Sequence, residues 1–275
     1  MVGRFQRGLS IVDDSVDVFR DNPRLALLPL LSLLSIGSAL AVVLGVVLQY
    51  HSLDTLITND LTQYAAIFIV MAVSSSVGVF FNAAVVHCVS RYFDGEDPSV
   101  REGLAAAWQV RWKIALWSVT AATLGTVLYI IDDKLGPLGS LARFLFDIAW
   151  ALLTYFVVPV IVLEDTDGLR PILEQSGSAF RETWGESVSA SLGVSFVFFP
   201  IAVLGIIGIG WAYFLASGTV AYVVGSLGFV LIVASIVATQ VVGMIVRTAL
   251  YRYATTGEQV GPFVGREPNH VFPSK

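Results

Sequence analysis

Few side chains in this sequence can do chemistry, and those that can stand inside long apolar runs. Asp147 is the sharpest, because a carboxylate at membrane depth is costly and usually faces a bundle interior, water or a countercharge. Arg143 lies four residues earlier on the same helix face and supplies that countercharge. The pair is either an intramembrane site or a solvated ion pair at the outer interface, the commoner arrangement because long basic side chains snorkel. Asn82, His87 and Gln240 are further polar residues set within apolar runs. They would line a polar path or hydrogen-bond between helices, and the second use is the more frequent. Asn82 and His87 are five residues apart, about 140° around a helix, so they do not obviously share a face.

Metal and cofactor chemistry has less to stand on. A single histidine with no second histidine or carboxylate at helical spacing makes a weak ligand set. Cys88, the one cysteine, lies in an apolar run, so neither a disulfide framework nor a thiolate site is expected. Glu164, Asp165 and Asp167 form a cluster of the kind that holds a divalent cation at the headgroups. Acidic capping of a helix starting near Gly168 accounts for them more simply. The sequence holds no HExxH, GxSxG, Walker-type loop or GxGxxG. No catalytic residue, metal or cofactor is therefore assigned.

The elements that must position these residues are membrane spans. Of the 275 residues, 56% are hydrophobic and 13% charged, with mean hydropathy +0.77, against about 25% charged in a soluble domain. Apolar runs predict six spanning helices, from about Pro23 to Tyr50, Gln63 to Tyr92, Lys113 to Ile131, Leu138 to Leu163, Ser187 to Leu215 and Tyr222 to Tyr251. The first run is too long for a cleavable signal core and is read as a retained helix. Asn22 is expected to cap it, with Pro23 in its first turn.

Three shorter amphipathic segments precede alternate spans. The first carries Phe5, Leu9, Val12, Val16 and Phe19 on one face with Asp13, Asp14 and Asp17 elsewhere; the second Val100, Leu104, Ala107, Trp108 and Trp112; the third Leu169, Ile172, Leu173, Phe180 and Trp184. Each is expected to lie along the membrane surface. The fold class is thus all-α and polytopic, with six spans in three repeats of one amphipathic helix and one hairpin. Residues 1–254 form the membrane domain, and the tail 255–275, rich in Gly and Pro, is expected to be mobile.

Charge gives orientation and partners. Lys134 and Arg143 fall on one side of the spans, and the other 14 of the 16 basic residues fall with the termini. The positive-inside rule then predicts a multi-pass cell-membrane protein with both termini cytoplasmic. The net charge of −5 and the absence of a clustered cationic patch argue against nucleic acid. Acid-rich loops with only three lysines suggest a salt-tolerant, halophilic host. Membrane lipids are the expected partners, with a membrane-protein partner or a second copy of the chain as candidates for the small-residue faces at Gly37, Ala41 and Gly45 and around Gly205.

Three stretches carry a resemblance: Phe19-Arg20-Asp21-Asn22-Pro23 leading into Leu27-Leu28-Pro29-Leu30-Leu31, then Phe156-Val157-Val158-Pro159 continuing to Glu164-Asp165, then Phe180-Arg181-Glu182-Thr183-Trp184-Gly185. Together they resemble an uncharacterised family of prokaryotic six-helix membrane proteins, a domain of unknown function. That family is distantly similar to the membrane domain attached to some glycerophosphodiester phosphodiesterases. The resemblance implies the fold and topology and brings no catalytic residue; six spans leave no room here for the phosphodiesterase barrel. Function stays open between a transport or membrane-organising component, an enzyme on a lipid headgroup, and a structural subunit of a membrane complex.

Overall fold

The computed structural model describes residues 2–50, 60–135, 137–215, 217–257 and 260. Among these, helices are the regular structure and no strand occurs. A helix α1 (Val2–Asp21) leads through a 3-10 turn at Pro23–Ala26 into α2 (Leu27–Tyr50). There follow α3 (Asp60–Phe93), the short α4 (Val100–Gln109), α5 (Arg111–Leu135), α6 (Pro137–Leu153), α7 (Val157–Leu163), α8 (Leu169–Glu182), α9 (Trp184–Phe214) and α10 (Gly218–Thr256). Six helical segments are long and apolar enough to cross a membrane, α6 and α7 counting together as one. In chain order α1, α4 and α8 each precede two of these segments. Most of the link at 51–62 and most of the tail expected to be mobile, 255–275, lie outside the described residues.

The packed core sits at the end of the bundle that carries α1, α4 and α8. Its residues come from the last turns of α3 (Ala83 to Val89) and the later half of α10 (Val237 to Tyr251), joined by Ile11, Val18, Phe156, Ile161 and Ile172. Both helices are continuous for 34 and 39 residues, so at 1.5 Å per residue they run about 51 and 58 Å. Towards the far end apolar side chains face outward, as at Leu34, Val42, Leu145, Phe199, Ile206 and Phe229. Such a surface suits hydrocarbon and nothing aqueous.

Close approaches fix the pairings. A Cβ on Gly205 would stand 2.6 Å from the Gly228 carbonyl oxygen, and one on Gly228 equally close to that of Gly205. The α9–α10 hairpin therefore meets backbone to backbone, as small residues allow in membranes. Ser235 locks it further, donating to the Phe198 carbonyl at 2.7 Å. Gly103 does the same for α4, whose backbone lies against Ala84 and Cys88 of α3.

Several expectations are corrected. Whatever its relation to the membrane surface, α1 is docked against α9 and α10. Over residues 11–21 its buried side chains are Ile11, Val12, Asp14, Ser15 and Val18, so Asp14 belongs to the packed face and not the wet one. Asn22 occupies the N-cap position ahead of Pro23 without a side-chain cap; its amide instead donates back to the Val18 carbonyl at 3.3 Å, closing α1. Ser99 and Glu102, unnoticed in the sequence, form a reciprocal capping box that starts α4.

The fourth span is broken ahead of Pro159. Pro159 has no N–H for the Tyr155 carbonyl, and its ring crowds that carbonyl. The helix yields at Thr154 to Phe156, and Ser176 of α8 repairs the gap. Its Oγ donates to the Leu153 carbonyl at 2.7 Å and accepts from the Phe156 N–H at 3.1 Å. A fully buried hydroxyl thus satisfies backbone that a continuous helix would have satisfied itself.

Candidate functional site

The candidate residues separate between the two ends. Asp147 and Arg143 belong to a polar cluster near the far end, where the Arg143 guanidinium lies 3.1 Å from Asp132 and 3.6 Å from Asp147. Asp132 also accepts from Ser140 at 2.5 Å. The Asp147 side chain is 56% exposed, and Asp132 is the closer partner of Arg143. Around the same level Lys134 pairs with Asp60 at 2.7 Å, Tyr64 donates to Asp133 at 2.9 Å, and Gln63 donates to Tyr129 at 3.3 Å. These bonds tie α3, α5 and α6 together as a belt.

Asn82 and His87 are half-buried on α3, and Gln240 is exposed on α10. No hydrogen bond among the described residues joins these three to one another. No group of three or more His, Cys, Asp or Glu side chains among the described residues is gathered for a metal. The acidic turn does not cap α8: Gly168 is its N-cap, with φ at +94° and no side-chain cap. Glu164 instead accepts from the Tyr251 hydroxyl at 2.8 Å, while its carbonyl accepts from Lys113 Nζ at 3.2 Å. It fastens α7 to α10 and α5.

The chemistry that the sequence missed lies beside the break in the fourth span. Ser191 and Ser195 of α9 face Thr239, Gly243 and Arg247 of α10 across a cavity of about 130 Å³. Tyr155 supplies the third wall, its hydroxyl 2.9 Å from Ser191 Oγ and 3.5 Å from the Ser187 carbonyl. The Arg247 guanidinium stands over the Tyr155 ring, 4.8 Å from its centroid. Tyr155 is in turn held by ring contacts with Phe156 and Phe180. The signal available in advance was two rows of small or polar residues, Ser187-Ser191-Ser195 and Thr239-Gly243-Arg247, each spaced by four.

Two apolar grooves mark the outer surface. One, of about 340 Å³, runs between α2, α3 and α5, lined by Phe80, Phe81 and Ile114 and headed by Trp108 and Arg111. The Arg111 guanidinium lies over both Trp108 and Trp112, at 5.2 and 5.6 Å from their ring centroids. The other, of about 490 Å³, lies between Leu30 of α2 and Phe229, Val233 and Val237 of α10, with Phe19 at its head. Neither groove reaches Asp147, Asn82 or Gln240.

This fold and this cavity define a class: an all-α protein with six membrane-compatible spans, packed at one end around a small polar pocket. Within that class the chain belongs to a family of unknown function, DUF6159, whose model matches residues 61–261. The match takes in α3 to α10 and leaves out α1 and α2. No curated protein and no solved structure matches the chain.

Proposed function

We propose that the protein is a membrane-organising component of the cell membrane that works through the lipids it contacts. The observation that carries the reading is the pair of outward-opening apolar grooves, one ending in Trp108 and Arg111, the other in Phe19. A hydrocarbon groove headed by an amphipathic aromatic and a cation matches an acyl chain below a headgroup. Both termini and the three short helices lie on the cytoplasmic side in this reading, supported by 14 of the 16 basic residues.

A second reading, transport, is favoured by the broken fourth span, because discontinuous helices beside a polar pocket line substrate sites in many transporters. A lipid-headgroup enzyme has weaker support. Glu164, the carboxylate nearest in kind to a catalytic group, is occupied by Tyr251, and the family match, to a family of unknown function, supplies no catalytic residue.

Native mass spectrometry of the protein extracted with its own membrane lipids tests the reading. The expected result is a protomer, or a defined oligomer, that retains lipid. Recovery of a lipid-free chain only in company with another protein would replace this reading with a structural subunit.

A further inference from the structure

Among the described residues Arg101, Arg111 and Arg181 lack a paired carboxylate but are exposed, whereas Arg247 is half-buried. Arg252, five residues on, pairs with Asp94 at 2.8 Å, Arg24 with Asp97 at 3.4 Å, and Arg91 with Glu96. Among the described residues no carboxylate pairs with Arg247, whose one charged-group contact is the Tyr155 ring. A guanidinium carries five N–H donors, and partly burying it without a counter-anion is unfavourable. Four hydroxyl residues, Tyr155, Ser191, Ser195 and Thr239, line the same cavity, with Val194 and Val246 as its apolar wall. Gly243 keeps the space open, since a Cβ there would meet nothing within 4 Å. A cavity of about 130 Å³ is room for several waters, and equally for one tetrahedral anion.

Depth narrows what that anion is. Counting along α10 from Gly218, the Arg247 Cα lies about 44 Å from the hairpin tip, and Ser191 about 35 Å from the tip along α9. Tyr213 and Tyr222, 81% exposed, mark the tip as an interface. With a hydrocarbon core of about 30 Å, the cavity straddles its opposite boundary, where phosphate groups lie. Long helical side chains lean towards the helix N-terminus, so Arg247 reaches down into the cavity.

We propose that this cavity is a phosphate site. Arg247 balances the charge, and the Thr239 hydroxyl and the one O–H that the Tyr155–Ser191 pair leaves free donate to the phosphate oxygens. The group comes either from a lipid headgroup entering past exposed Ser195 or from a free phosphate. The lipid source rests on the membrane-organising reading; the phosphate chemistry does not.

The full-length protein in a neutral detergent is offered equimolar phosphatidylglycerol and phosphate-free diacylglycerol, and bound lipid is counted by native mass spectrometry. Wild type should favour the anionic lipid by about fivefold, the effect of one basic residue at a membrane surface. Arg247→Gln should bring the ratio to about one, and Arg247→Lys should keep much of it. Excess inorganic phosphate that leaves the ratio unchanged assigns the site to the headgroup; phosphate that abolishes it assigns the site to the free anion. Should Arg247→Gln not fold, Ser191→Ala and Thr239→Val replace it, and each should lower the ratio two- to threefold. A ratio indifferent to all these substitutions overturns the proposal. If wild type retains no lipid, the membrane-organising reading fails by itself. The phosphate site then stands only if inorganic phosphate raises the melting temperature of wild type and not of Arg247→Gln.

Discussion

At the scale of single residues, the polar side chains divide by how completely they are sealed. Ser176 is fully buried and serves two backbone groups at once, the Leu153 carbonyl and the Phe156 N–H. Ser176→Ala leaves both unmet in a place water does not reach, and a cost of about 1–3 kcal/mol is expected. Thermal unfolding in detergent should show it as a clear fall in melting temperature; an unchanged value would mean that the break repairs itself. Asp147 is the opposite case. Its side chain is 56% exposed and 3.6 Å from an arginine already closer to Asp132. Asp147→Asn should shift stability by less than about 1 kcal/mol. A larger loss would place this carboxylate in a dry environment. The sequence singled out Asp147 because an ionisable residue in an apolar run is conspicuous. It passed over Arg247 because the sixth span was read as ending at Tyr251, which put this arginine at a helix end; α10 runs on to Thr256.

At the scale of elements, run length and composition made the six spans legible, since helix is the one open structure that satisfies its own backbone in hydrocarbon. The break in the fourth was not legible. Pro159 alone proves nothing in a membrane helix, and the residue that makes the break tolerable, Ser176, stands 20 positions away from Phe156 on another helix. Pro200 makes the contrast: it lies inside α9, which continues for 31 residues. The small-residue stripes also read alike in sequence and differ in use. Gly205 is consumed within the chain, its backbone against Gly228, whereas a Cβ on Gly37 or Gly45 would meet nothing within 4 Å. Gly205→Ala should therefore destabilise the α9–α10 hairpin by about 1–3 kcal/mol through overpacking. Gly37→Ala should leave the isolated chain unharmed, within about 0.5 kcal/mol. Melting curves of the two variants side by side decide it, and equal losses would show that α2 is packed against something beyond the chain.

At the scale of the whole molecule, the bundle is sealed at one end and apolar on its outside at the other, and the proposed orientation rests on the charge distribution. Short loops rich in Lys and Arg resist translocation, and the far side holds only Lys134 and Arg143, both ion-paired in the belt that joins α3, α5 and α6. The orientation can be read by cysteine labelling without first removing the native thiol, because Cys88 is 1% exposed and packed beneath Gly103. Ser217, exposed in the turn between α9 and α10, and Asp165, exposed between α7 and α8, lie at opposite ends of the bundle. A membrane-impermeant maleimide should modify Ser217→Cys in intact cells and Asp165→Cys only after permeabilisation. The reverse pattern would turn the molecule over and put the Arg247 cavity at the outer leaflet. Labelling of both in intact cells would mean that α9 does not cross, and the depth that places this cavity among headgroup phosphates would no longer hold.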